Sequence, residues 1–213
     1  MTSEPTTKER IRREAAALFR EKGFNGTSMA DLAGEVGITK SSLYHHFPSK
    51  QALLSEIIEL TVNRVTPLVE EVAESDLPVR ERLSRAVALH TVEAIRDQDA
   101  IACFIEEGRY LAPDFMAAHV AKRDHYELIF RRMFAEGIAS GEFVDQDVGL
   151  AVKAVLGMCN SVVRWYRPGG PYTPDEIASE FAHFAVRGAG AGRTATPAAE
   201  QAVFEEVAHE WSA

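Results

Sequence analysis

Residues 23–54 read GFNGTSMADLAGEVGITKSSLYHHFPSKQALL. Thr27 or Ser28 is placed to open a short helix that carries Met29, Leu32, Ala33 and Val36 on one face. Gly37 ends it, in a left-handed conformation that glycine adopts cheaply. Thr39 or Lys40 opens a second short helix that runs through Phe47, where Pro48 stops it. This second helix sets Lys40, Ser41, Ser42, Tyr44, His45 and His46 around one apolar pair, Leu43 and Phe47. A core helix would not place so many polar groups beside so few apolar ones. Two short helices at a steep angle are what a helix-turn-helix requires: the first braces on the phosphate backbone and the second enters a major groove ~12 Å wide. Ser41 and Ser42 are small donors that allow close approach to base edges, and Tyr44 and His45 reach phosphates or bases. Ser49 and Lys50 put N–H groups and a positive charge at the next helix start, a natural phosphate site. Each residue also has a plainer reading: Tyr44 as a packing aromatic, His45 and His46 as solvated groups, Lys50 as a surface charge, Ser49 as a cap alone.

Working outward, helical periodicity continues and convincing two-residue alternation is absent, so the fold class is all-α. Upstream, Thr6 or Thr7 caps a first helix whose Ile11, Ala15, Leu18 and Phe19 share a face, with Gly23 as its stop. Downstream, Ser49 caps a longer helix through Leu53, Leu54, Ile57, Ile58 and Thr61. The spacing predicts helices over 49–74, 79–97, 99–108, 114–139, 145–166, 174–188 and 197–211, with Pro67 kinking or interrupting the first. Gly188–Thr194 reads as a flexible linker, and 196–211 as an extra amphipathic helix with Val203, Phe204, Val207 and Trp211 on one side. The expected division is therefore a DNA-reading head at 1–52, a larger helical body at 53–190, to which the resemblance set out below assigns effector binding and dimerisation, and a linker with an added helix at 191–213.

The net charge of −9 argues at first against a nucleic-acid partner. Its distribution reverses that: residues 1–52 carry eight basic and six acidic groups, and the acidic surplus lies entirely beyond them. Cys103 and Cys159 lie far apart in apolar helical stretches, without metal or disulfide spacing, as expected for buried small hydrophobes in a reducing cytoplasm. No apolar run reaches the ~20 residues of a membrane span, and the N-terminus lacks an apolar signal core. A cytoplasmic protein without a membrane partner is expected. Metal clusters, a GxSxG elbow, a phosphate loop and paired carboxylates are all missing from the sequence, so catalysis, a metal and a resident cofactor are not expected.

The quoted stretch resembles the N-terminal domain of the TetR repressor family. Gly-Phe, the entry Thr-Ser-Met-Ala-Asp-Leu-Ala, the turn Val-Gly-Ile, and Leu-Tyr-His-His-Phe followed by Ser-Lys match in order and spacing over residues 7–60. The resemblance implies a recognition helix at 39–46, with Thr27, Lys40, Ser41, Ser42, Tyr44, His45 and Lys50 as DNA contacts. It also implies a homodimer on double-stranded DNA, reading a palindromic operator as two half-sites. The family's usual Glu two residues after Ser-Lys is Ala52 here, which weakens a helix-start interaction and leaves base reading untouched.

In such proteins the last two body helices form a four-helix interface between subunits. Here Val148, Ala151, Val152, Val155 and Met158, with Ile177, Phe181 and Phe184, offer stripes that serve either as dimer faces or as core. Between them, Arg164, Trp165 and Arg167 fall within about one helical turn. Guanidinium groups bind phosphate in a bidentate manner and Trp offers a stacking face, which suits a ligand with phosphates and an adenine ring. A helix C-terminus with favourable arginines explains the same residues without a ligand. This motif resembles the body of TetR-type repressors of fatty-acid and steroid catabolism that respond to acyl-CoA thioesters. Such an effector would place Phe104, Tyr110, Phe115, Met116, Tyr126, Phe130 and neighbouring aromatic or Met residues along an acyl tunnel, with Arg123 near a phosphate; these side chains also fit plain core. The alternative effector is an uncharged hydrophobic ligand or drug, for which Arg164 and Arg167 would be irrelevant.

Overall fold

The computed structural model describes residues 5–190, and among these it is all-helical. Four polar caps set the N-terminal architecture. Thr6, Ser28, Thr39 and Ser49 each accept a backbone N–H from the first turn of the helix that follows. Those helices are α1 (Thr7–Lys22), α2 (Met29–Val36), α3 (Lys40–His46) and α4 (Lys50–Ala73). Glu9 and Asp31 return a carboxylate to the cap N–H of Thr6 and Ser28, closing two capping boxes. Gly37 takes φ 73°, ψ 35°, the left-handed turn expected between α2 and α3.

The chain then continues through α5 (Val79–Arg96), α6 (Gln98–Ala102), a π-helical turn (Cys103–Glu107), a 3-10 turn (Gly108–Tyr110), α7 (Pro113–Ala139), α8 (Val148–Trp165) and α9 (Pro174–Gly190). The stretch expected as one helix over 99–108 is thus three windings in succession. Pro67 does not interrupt α4. It lies on the exposed face, so the Asn63 carbonyl that loses its helical partner remains open to water. The first residues of the expected linker, Gly188 to Gly190, belong to α9. The rest of it and the helix expected at 196–211 lie outside the described residues.

One core joins α1–α4 around Ile11, Phe19, Leu32, Leu43, Phe47, Leu53 and Leu54. Ala100, Cys103 and Leu111 from the α6–π-turn region enter the same core, so the head is welded to the body rather than hung from it. A second core packs α4, α5, α7, α8 and α9 around Val69, Leu83, Val87, Phe130, Phe134, Val152 and Cys159. Arg82 fastens this half: it donates to the Leu77 and Ala73 carbonyls and pairs with Glu136. Both cysteines are buried and unbridged, and burial pushes the Cys159 thiol up to about 11.

Candidate DNA-reading surface and effector cavity

Leu43 and Phe47 seat α3 in the head core, which turns the opposite side of the helix outward. Lys40, Ser41, Tyr44 and His45 are exposed, and Ser42 is half-buried. Tyr44 is 47% exposed, too open for a packing aromatic. His45 and His46 meet edge to face at 5.7 Å between centroids. Ser41, Tyr44 and His45 make no side-chain hydrogen bond to the described protein, which leaves their polar groups available to a duplex.

Two residues expected at the DNA are used otherwise. Thr27 is 2% exposed, and its hydroxyl donates to the Gly23 carbonyl at 3.0 Å. Lys50 turns inward: Nζ donates to the Phe24 carbonyl at 2.5 Å and the Thr27 carbonyl at 2.6 Å, and sits 4.2 Å from the Phe24 ring centroid. Burial there holds its ammonium below the usual lysine range. The α1–α2 loop has three carbonyls without helical partners, and these two side chains satisfy them. Thr27 and Lys50 therefore shape the head, and their side-chain hydrogen bonds are made within the chain itself.

In the body, a cavity of about 580 Å³ lies between α4, α5, the α6–π-turn segment, α7 and α8. Val62, Val65, Ile101, Phe104, Ile105 and Leu156 are among its apolar walls. Three exposed cations, Arg109, Arg123 and Lys153, line it as well and so mark its mouth. Gly108 allows the His119 ring to lie close, since a Cβ at that position would come 2.7 Å from His119 Nε2. Deep in the cavity His90 is fixed at both nitrogens, Nδ1 to Tyr126 Oη at 2.7 Å and Nε2 to Asn160 Oδ1 at 3.0 Å. Burial pushes the His90 imidazole below its ordinary value, so it is neutral near pH 7.

The expected effector residues are divided by this geometry. Tyr126 and Arg123 line the cavity, as do Phe104 and Met116. Phe130 does not; it is wholly buried in the second core because its position on α7 faces α5 and α8. Tyr110 and Phe115 pack on the head core instead. Arg164, Trp165 and Arg167 stand on the outer surface at the end of α8, apart from the cavity wall of their own chain. Arg164 pairs with Glu106 at 2.8 Å, Arg167 donates to the Arg164 and Tyr166 carbonyls, and Trp165 Nε1 donates to Ser161. His90 and Asn160 were not anticipated. A histidine on the apolar face of α5 was the available signal, four residues from Ala86 and beside Thr91.

The body also touches the head through polar links. Glu107 accepts the Phe24 N–H at 2.9 Å, Arg20 donates to Asp99 and to the Val163 carbonyl, and Gln51 brackets the Tyr110 carbonyl and the Ala112 N–H.

An exposed reading helix on a helix-turn-helix, tied to a helical body with an internal cavity, defines a ligand-responsive DNA-binding regulator. Residues 11–57 match the family described as bacterial regulatory proteins, tetR family, and residues 76–189 match the tetracyclin repressor-like C-terminal domain. The chain belongs to the TetR family of transcriptional regulators, which are not enzymes. Among its relatives is the HTH-type transcriptional repressor KstR2 of Rhodococcus jostii, 31% identical over 170 residues, covering 78% of this chain and 83% of that one. The structure of the ketosteroid transcriptional regulator KstR2 of Mycobacterium tuberculosis superposes with a TM-score of 0.82 at 25% identity, over 89% of this chain and 98% of that one. AibR, crystallised in complex with isovaleryl coenzyme A and operator DNA, shares the fold with a TM-score of 0.76 at 24% identity, over 84% and 97% of the two chains.

Proposed function

We propose that this chain is a cytoplasmic repressor that holds a palindromic operator as a homodimer and releases it when an acyl-CoA thioester enters the body cavity. The observation that carries the reading is the cavity itself. Its walls are mostly apolar, its lining bears the cations Arg109, Arg123 and Lys153 against the one carboxylate Glu127, and part of that lining is the segment hydrogen-bonded to the head. A volume of about 580 Å³ takes a drug-sized apolar group. The acyl part goes inside and the phosphates stay at the cationic mouth. AibR, with the same fold, takes isovaleryl coenzyme A.

Dimerisation is supported by what α8 and α9 leave outside. Val152, Val155 and Ile177, expected among the interface stripes, are in the chain's own core. Leu150, Trp165 and Phe184 instead are 68%, 44% and 65% exposed. Large apolar groups gathered on two neighbouring helices mark an interaction face. α8 is also the one described helix apolar enough to cross a membrane by length and composition; its outward apolarity is here assigned to a second copy. Lys153 and Gly157 belong both to the exposed side of α8 and to the cavity, so the mouth opens beside that face. Arg164, Trp165 and Arg167, exposed at the end of the same helix, are kept in this reading as effector contacts supplied by the second copy.

The effector acts only through unequal affinity for the DNA-bound and released states. Filling the cavity shifts α4, the shared helix, and changes the spacing of the two α3 helices. A gel-shift titration on DNA upstream of its own gene tests this. Release of the complex by micromolar acyl-CoA is expected; persistence of the complex against short, long and cyclic esters would refute the effector. Release by uncharged hydrophobic compounds alone would favour the drug-type reading.

A further inference from the structure

Beyond α4, which runs through both halves, side chains bond the head to the body at two kinds of place. Gln51 and Glu107 end on the turns after α6, which help to wall the cavity. Arg20, near the end of α1, reaches further. Its Nη1 donates to Asp99 Oδ1 at 2.8 Å and its Nη2 to the Val163 carbonyl at 2.6 Å. Asp99 is on α6, two residues before Ile101 of the cavity lining. Val163 is in the last turn of α8, two residues before the exposed Trp165. A helix leaves its last four carbonyls without partners of its own. At this end of α8 the Tyr166 N–H takes the Val162 carbonyl, Arg167 takes that of Arg164, and the Val163 carbonyl is left to the head. The negative end of the helix dipole favours a guanidinium there. The guanidinium is a rigid planar fork, so it holds both acceptors only while their separation fits. With the bonds at 2.8 and 2.6 Å, a relative shift of α6 and α8 by about 1 Å takes one of them out of hydrogen-bond range.

We propose that Arg20 is a positioning residue for operator binding. It locks α1 to the end of α8, so that the separation of the two reading helices is set at the subunit face through α1 as well as along α4. This rests on α8 and α9 forming the dimer face. Ile11 and Phe19 of α1 share one core with Leu43 and Phe47, so α3 follows α1 as one piece. That core is apolar and holds without the half-buried Arg20. Loss of the fork therefore leaves the head folded and free to swing on α4. A swinging head meets half-sites at more than one spacing, and it meets the natural spacing less tightly because more freedom is lost on binding.

The test uses the full chain and the palindrome footprinted upstream of its own gene, as three duplexes: the natural spacing, and the centre lengthened or shortened by one base pair. One base pair moves a half-site along the duplex and rotates it, so the wild-type dimer is expected to lose about thirtyfold or more on either altered duplex by gel shift. Arg20→Met should bind the natural duplex about tenfold more weakly, and lose no more than about threefold further on the altered ones. Asp99→Ala, which leaves the Val163 bond, should fall between, and the double variant should match Arg20→Met. Melting curves and sedimentation check that the variants are folded dimers; should Arg20→Met not fold, Asp99→Ala carries the same comparison. A variant weakened by one factor on all three duplexes has lost only stability or charge and overturns the proposal, as does a variant not weakened at all. The reading beneath it fails separately. A wild type that sediments as a monomer, or a dimer that survives Leu150→Glu with Phe184→Glu, defeats the dimer face, whereas an unmoved spacing preference defeats this proposal alone.

Discussion

The head and the body use polar residues in opposite ways. In the head, polar groups point outward from a single seven-residue helix, α3, whose apolar side is fixed by Leu43 and Phe47. In the body they point inward from several helices: His90 from α5, Thr66 from α4, His119 and Tyr126 from α7, Asn160 from α8. A surface site can be assembled from neighbours in sequence. An interior site needs residues that only the tertiary fold brings together.

Breaking the head's anchor should have the largest effect. Phe47→Ala is expected to cost about 3–5 kcal/mol and abolish operator binding together with head folding, read by calorimetry and gel shift. Leu150→Glu with Phe184→Glu should come next, weakening self-association by on the order of thirtyfold or more, seen by sedimentation; an unchanged dimer would assign this apolar face to some other partner. Lys40→Ala should weaken binding to all duplexes alike and lower the slope of log affinity against log salt by about one phosphate's worth. Tyr44→Ala, by contrast, should be the more sequence-dependent loss.

At the cavity, Arg123→Gln should raise the acyl-CoA concentration needed for release by about tenfold. Arg164→Met should raise it less, because Arg164 stands outside the cavity wall of its own chain whereas Arg123 lines it. Equal effects would move the phosphate site toward the dimer face. The smallest expected effect is one of pH. The folded His90 and His119 titrate below their ordinary value of 6.5, so the unfolded chain binds more protons in the window just under 6.5. Stability should therefore fall as pH is lowered from 7 through that window, and His90→Leu should flatten the thermal-melting profile there.

The same contrast explains what could be read beforehand. Caps act within three residues, so the helix starts were legible to within one residue: of the pairs Thr6 or Thr7, Thr27 or Ser28, and Thr39 or Lys40, the caps are Thr6, Ser28 and Thr39, and Ser49 caps α4 as expected. The polar face of α3 needed only helical period. The inward bonds of Lys50 were not legible, because its partners are the Phe24 and Thr27 carbonyls, 26 and 23 residues away, and nothing local distinguishes such a lysine from one facing phosphate. Phe130 and Tyr126 are one turn apart on α7, yet one fills the core and the other lines the cavity. Periodicity shows that both face inward and does not show where the interior is hollow.

The π-helical turn at Cys103–Glu107 has a mechanical corollary. Phe104 and Ile105 press on the cavity, whereas Cys103 lies in the head core and Glu107 holds the Phe24 amide. Five consecutive residues thus act as a rocker with one arm in each compartment. Its wide winding carries one residue more per hydrogen-bonded loop than α6 before it and two more than the 3-10 turn after it, which is slack that a guest molecule could take up. A push of an ångström on the inner arm would be felt at the Ala16 carbonyl of α1 and at the Phe24 amide in the loop that leads into α2.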